Sequence, residues 1–181
     1  ALSDASALIN QAVAIGYAAL NGDLTTGADS TIAIGFSTLS ELTSGAANIA
    51  IGYSSGVDLS EDPNVGLTTG ANNTAIGYES FGADGGANIT GSHNTVMGYR
   101  AGYKINAGMA YNTFIGSEAG DATNGGSYNT AIGYRTLSAD CGDENTTIGF
   151  EAGKLITATN NVCVGSQAGD GAWQNNASSY N

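Results

Sequence analysis

The sequence is dominated by an internal repeat whose unit reads Asn-Thr-Ala-Ile-Gly-Tyr-x-Ala. A repeat of 16 to 25 residues has no room for a helix, a strand and two turns. Each unit is therefore predicted to form a β-coil made of a strand, a turn, a second short strand and a turn. The chain is predicted to be an all-β parallel β-solenoid, or β-roll, of nine stacked coils. The central glycines that mark the coils are Gly16, Gly35, Gly52, Gly77, Gly98, Gly116, Gly133, Gly149 and Gly165.

The repeats divide the chain into three parts. Residues 1–9 form a lead-in, 10–169 form the repeat domain, and 170–181 are predicted to be a cap or connector. Trp173 is expected to cover the last coil, because terminal repeats need a cap.

Two columns of the repeat predict vertical ladders, since equal positions of stacked coils lie about 4.8 Å apart. The residue before the glycine is always aliphatic or Met, and we expect it to form a core ladder inside the coils. The residue four before the glycine is Asn in seven units, and we expect its amides to bond from coil to coil. The core ladder is Ile15, Ile34, Ile51, Ile76, Met97, Ile115, Ile132, Ile148 and Val164; the Asn ladder is Asn48, Asn73, Asn94, Asn112, Asn129, Asn145 and Asn161.

An aromatic column follows the glycine in seven units. An apolar stripe of this length is typical of an interface, where a Tyr ring packs while its hydroxyl stays wet. The alternative is that these rings face the solenoid's own interior. The column is Tyr17, Phe36, Tyr53, Tyr78, Tyr99, Tyr134 and Phe150.

A charge column lies two residues after the glycine, where the sign alternates from coil to coil. Vertical neighbours of opposite sign form ion pairs instead of repelling each other, so we expect a structural ladder. Its members are Glu79, Arg100, Glu118, Arg135 and Glu151.

Composition excludes several classes of partner. The formal net charge is -12, which argues against nucleic acid and disfavours anionic membranes. No apolar run approaches the ~20 residues that cross a bilayer.

Cys141 and Cys163 lie two coils apart, about 10 Å along the stack, so we expect free or loosely paired cysteines. A bridge would require the Cys141 loop to fold back along the stack.

The sequence offers no catalytic, metal or cofactor motif, and we expect a protein that is not an enzyme and needs no cofactor. The single histidine lies in a turn-like Gly-Ser-His-Asn, and the glycine-rich stretches are turns rather than phosphate loops. The longer connections are instead candidate binding loops, because loops on a rigid stack often carry binding residues. The candidates are Asp58, Glu61, Asp62, Phe81, Asp84 and His93.

The unit Asn-Thr-Ala-Ile-Gly-Tyr-x-Ala, as in 73–80 and 129–136, resembles the head repeat of trimeric autotransporter adhesins and repeats of bacteriophage tail fibres. This resemblance covers residues 10–169. It implies a left-handed roll, a homotrimer and attachment to a host cell-surface glycan or protein. The coils here are longer and less regular than those of adhesin heads, which is closer to the phage-fibre repeats.

We therefore expect an extracellular structural and adhesive module, on a virion tail fibre or a bacterial cell surface. One alternative is a self-assembling extracellular filament, because the open ends of a solenoid are unpaired strand edges. A weaker alternative is a glycan-degrading spike that uses paired carboxylates.

Overall fold

The computed structural model describes residues 10–22, 24, 27–57, 67–83, 88–105, 108–123 and 125–170. They form a nine-stranded parallel sheet in which each strand pairs with the next along the chain. The all-β solenoid that the repeat predicts is confirmed. The strands are β1 (Val13–Ile15), β2 (Ile32–Ile34), β3 (Ile49–Ile51), β4 (Thr74–Ile76), β5 (Thr95–Met97), β6 (Thr113–Ile115), β7 (Thr130–Ile132), β8 (Thr146–Ile148) and β9 (Val162–Val164).

The second short strand predicted for each coil is absent from the described residues. Isolated bridge residues remain of it: Leu67 and Ile89 form a parallel bridge, and Val57 and Ala83 also take part in bridges. The rest of each coil consists of turns, because left-handed backbone conformations recur at fixed offsets. In the fourth coil, for example, φ is positive at Asn72 (58°), Glu79 (51°) and Phe81 (55°). Such residues bend the chain too often for a second ladder to form.

The central glycines are required by both conformation and space. Gly77 has a φ of 139°, and a Cβ built on it would overlap the carbonyl oxygen of Gly98 in the next coil. The same overlap recurs from Gly16 to Gly149. Gly165, in the last coil, differs, because its nearest neighbour to such a Cβ is Ala168 at 3.9 Å.

The aliphatic column does not line the interior, so the predicted core ladder is wrong. The middle residue of each strand points inward, while the residues on either side of it point outward. Ala131 is fully buried, whereas Ile132 beside it is only partly buried. The column that was expected inside therefore lies on the outer surface of the sheet: Ile15, Ile34, Ile51, Ile76, Met97, Ile115, Ile132, Ile148 and Val164.

Large side chains from the turns fill the interior instead. They compensate for the size of the inward strand residue. In β6 that residue is Phe114, and Gly120 stands where a Cβ would lie 2.7 Å from the ring. In β7 it is Ala131, and the equivalent turn position is Leu137. The buried large side chains are Phe81, Phe114, Leu20, Leu24, Leu39, Leu42, Leu67, Ile89, Ile105, Met109, Leu137 and Ile156.

The seven asparagines form one buried hydrogen-bonded ladder. In each step the backbone N–H of one Asn donates to the side-chain Oδ1 of the Asn below, at 2.8–3.0 Å. The amide of Asn94 also closes its own coil, because its Nδ2 donates to the carbonyl of Met109 at 2.9 Å. The ladder thus satisfies polar groups that would be costly to bury unpaired.

Candidate interaction surface

The outer face of the sheet concentrates the exposed apolar side chains of the described residues. We call the aliphatic column and the aromatic column, which flank the central glycines, the outer face. Fifteen large hydrophobic side chains are exposed, and thirteen belong to the strands or directly follow the glycine. Nine strands spaced about 4.8 Å apart make this stripe about 38 Å long. Monomeric proteins rarely expose an apolar stripe of that length.

The rings of the aromatic column stack on one another. Tyr17, Phe36, Tyr53, Tyr78 and Tyr99 are continuous, with centroids 5.1–5.5 Å apart, and the column resumes with Tyr134 and Phe150 at 5.6 Å. These rings are 43–75% exposed, so they do not face the solenoid's interior. Because they stack along the solenoid, they present a row of ring edges rather than ring faces to a partner.

Polar groups interrupt the aromatic stack in two coils and contact its rings in others. Ser117 takes the ring position in the sixth coil and Ser166 takes it in the ninth. The guanidinium of Arg100 lies 5.5 Å from the Tyr99 ring centre and 4.6 Å from that of Tyr103. A hydrogen bond with the Glu79 carboxylate raises the pKa of Tyr78.

A second aromatic column, which sequence reasoning missed, lies at another corner of the coil. His93, Tyr111 and Tyr128 stack with centroids 4.9 and 5.0 Å apart. Each directly precedes a ladder Asn and has a φ of 61–63°, which is unusual for bulky residues. The sequence does place all three directly before a ladder Asn, which is the signal that could have revealed this column. The position is easily missed because the residue type there varies from coil to coil.

The charge column pairs in part as the alternating signs predict. Arg100 Nε lies 2.6 Å from Glu79 Oε2, and Arg135 Nε lies 3.1 Å from Glu118 Oε2. Glu151 instead bonds Lys154 of its own coil at 2.8 Å. That hydrogen bond lowers the pKa of Glu151. The two Arg–Glu contacts tie successive coils together.

The candidate binding loops separate into three cases. Phe81 is fully buried in the core, so its assignment to a binding loop is wrong. His93 is exposed and belongs to the second aromatic column. Asp58, Glu61, Asp62 and Asp84 lie outside the described residues, as does Trp173.

A polar groove of about 670 Å³ is lined by residues of the first four coils. Hydroxyl and amide groups line it, among them Asn21, Ser40, Thr43 and Asn88, with the Glu41 carboxylate. Glu41 accepts a hydrogen bond from Ser40 Oγ at 2.6 Å. Such a lining suits hydrogen bonding to a polar ligand.

The cysteines are free and buried, as expected from their separation. Burial raises the pKa of Cys141 to about 12, which keeps it a thiol. Within the described ranges, no three His, Cys, Asp or Glu side chains come together as a metal site. Nor do those ranges contain a helix long and apolar enough to cross a membrane.

Comparison with known proteins finds no match: no family model, curated protein or solved structure is similar to this chain.

Proposed function

We propose that this chain is a non-enzymatic module of an extracellular fibre, on a virion tail or a bacterial surface, that attaches to a host surface. The observation that carries the proposal is the outer face, an apolar stripe on a rigid stack. A monomer gains nothing from such a stripe in water, whereas a fibre buries it between chains. The repeat's resemblance to adhesin heads and tail fibres supports three chains side by side.

The sign and distribution of charge also support a module that meets surfaces rather than nucleic acid. The net charge is -12, yet the aliphatic and aromatic columns carry no charged residue. Chains can therefore approach through the outer face while acidic groups elsewhere keep the assembly soluble.

The interface is tested with two matched double variants. Tyr53→Ser with Tyr78→Ser removes two rings of the outer face, and the chain itself carries Ser there at 117 and 166. Tyr111→Ser with Tyr128→Ser removes two rings of similar exposure from the second aromatic column. Light scattering is expected to show loss of the trimer in the first variant only. Equal masses for both variants would contradict the assignment of the outer face.

Attachment is tested by binding labelled chain to glycan arrays and to panels of bacterial and animal cells, before and after protease treatment. A trimer presents three copies of each loop, so the Tyr53→Ser/Tyr78→Ser variant is expected to bind at least about tenfold more weakly through lost avidity. Absence of saturable binding by an intact trimer would refute attachment and leave the fibre assembly standing.

A further inference from the structure

The second aromatic column stands at a corner of the coil where the backbone is left-handed in every repeat. This corner is the residue directly before the ladder Asn or its equivalent, and φ there lies between 58° and 63° in all nine coils. Asn fits such a conformation, whereas a bulky side chain is disfavoured in it. The nine corner residues are Gln11, Ser30, Ala47, Asn72, His93, Tyr111, Tyr128, Glu144 and Asn160.

The fold does not require aromatic rings at this corner. Six coils carry Gln, Ser, Ala, Asn or Glu there in the same conformation, and the rings stand only in the fifth, sixth and seventh coils. Tyr111 and Tyr128 are 51% and 58% exposed, so they contribute little to the core. Residues held in a disfavoured backbone conformation are concentrated at binding sites.

We infer that the second aromatic column binds a neutral, extended glycan chain that runs parallel to the solenoid axis, with one sugar unit beside each ring. This ligand class and this site rest on the proposed attachment to a host surface. The ring centroids are 4.9 and 5.0 Å apart. One sugar unit of an extended β-linked chain is about as long as this step, so successive units meet successive rings in the same way.

The column presents hydrogen-bonding groups together with apolar carbon. Because the rings stack with interplanar angles of 5° and 6°, their edges face outward. These edges carry the phenol hydroxyls of Tyr111 and Tyr128 and the imidazole nitrogens of His93. The hydroxyl oxygens of Ser92 and Ser127 accept backbone N–H groups of the preceding coil at 3.0 and 3.2 Å, so their hydrogens can donate to a ligand. Sugars, with their hydroxyl and C–H groups, need this mixture of contacts.

The surroundings of the column favour a neutral ligand over an acidic one. In the fifth to seventh coils, neither the residue before the corner nor the outward Thr two residues after it is charged. Asp143 and Glu144 occupy the corner and the position before it in the eighth coil, and the chain has a net charge of -12. An acidic glycan that extends past Tyr128 would therefore be repelled, whereas a neutral one would not.

A glycan array with neutral and acidic chains, graded from single sugars to hexasaccharides, tests the site. The intact protein is expected to prefer neutral β-linked chains, with a signal that rises up to three units and is level beyond, because there are three rings. Tyr111→Ser with Tyr128→Ser is expected to bind at least about tenfold more weakly, since two hydrogen-bonding rings are lost. Light scattering is expected to show that this variant keeps the mass of the intact protein.

A gain of one ring separates binding from a purely structural role. Asn72→Tyr adds a ring next to His93 at a corner with the same φ of 58°. We expect the length at which the signal stops rising to shift from three to four sugar units. Ala47→Tyr is the matched control, because Asn72 separates it from the column, and it is expected to leave that length at three. Rings that only stabilise the stack would leave glycan binding unchanged in both variants.

Tyr111→Phe with Tyr128→Phe decides if the Ser variant loses its fold by circular dichroism, because it keeps both rings and removes only the hydroxyls. It is expected to bind several-fold more weakly. The glycan site is overturned if no neutral chain binds, if acidic chains bind better, or if these variants bind as the intact protein does. Cell binding that protease treatment of the cells abolishes would then leave the proposed attachment standing, with a protein receptor, whereas absence of cell binding would end both.

Discussion

The inward and outward positions of the same strands differ in how much their residue type varies from coil to coil. The inward column varies widely, with Ala131, Phe114, Thr147 and Cys163 at equivalent positions. Each larger residue is matched by a small one in the turn, as Phe114 is by Gly120. The outward aliphatic column barely varies, although its members are only partly buried or exposed. A uniform and partly exposed apolar column is what the proposed contact between chains requires.

The largest expected effect of a single substitution is on the central glycines. Gly77→Ala places a Cβ against the carbonyl of Gly98, in a backbone conformation that disfavours any side chain. We expect it to abolish folding. Gly165→Ala meets no atom closer than 3.9 Å and is expected to cost only the backbone strain, about 1–3 kcal/mol. Chemical unfolding of both variants checks this difference; equal losses would show that space between coils is not limiting.

The size compensation between the inward strand residue and the turn residue is tested by giving one coil the pair of residues found in the next coil. Phe114→Ala alone leaves a cavity and is expected to cost about 3–5 kcal/mol. Gly120→Leu alone drives a side chain into the Phe114 ring. The double variant copies the Ala131 and Leu137 pair of the next coil and is expected to recover most of the stability. A double-mutant cycle from urea unfolding measures the coupling, and additive losses would refute compensation.

The Asn ladder gives the next largest effect. Asn94→Ala removes the acceptor for the backbone N–H of Asn112 and the donor to Met109, both buried. Two unpaired groups are expected to cost about 2–5 kcal/mol. Asn161→Ala is expected to cost less, because its Oδ1 accepts no hydrogen bond from the described residues. Urea midpoints of the two variants at low protein concentration check the order; a reversed order would contradict the ladder as the source of stability.

The smallest effect on stability is expected at Asp121, a partly buried acidic residue. Burial raises the pKa of Asp121, against the hydrogen bond with Ser138, which lowers it. A carboxyl with a raised folded pKa stabilises the fold when protonated, and that contribution disappears as pH rises through the folded pKa. Asp121→Asn is therefore expected to raise the free energy of unfolding slightly at pH 7 and to leave it unchanged near pH 3. Thermal melts at both pH values check it, and an equal gain at both would exclude the charge as the cause.

Features that repeat at fixed offsets could be predicted from the sequence. Which side of each strand faces the interior could not, because both orientations fit the same alternating pattern. The strands and the Asn ladder follow from the positions of Gly98 and Asn94 and their equivalents. The inside and outside of the strand were reversed, because Ile132 is more apolar than Ala131 and hydrophobicity alone places it inward. The information that decides the orientation lies in the turns, where Leu137 takes the interior space that a large strand residue would need.

Mass in solution tests the central claim most directly. Light scattering after size-exclusion chromatography, over a hundredfold dilution, is expected to give a constant mass of three times 18.0 kDa or a series of its multiples. Such masses would support burial of the outer face between three chains. A monomer of 18.0 kDa at every concentration would contradict it, because the exposed Tyr, Phe and Ile columns would then face water with no partner.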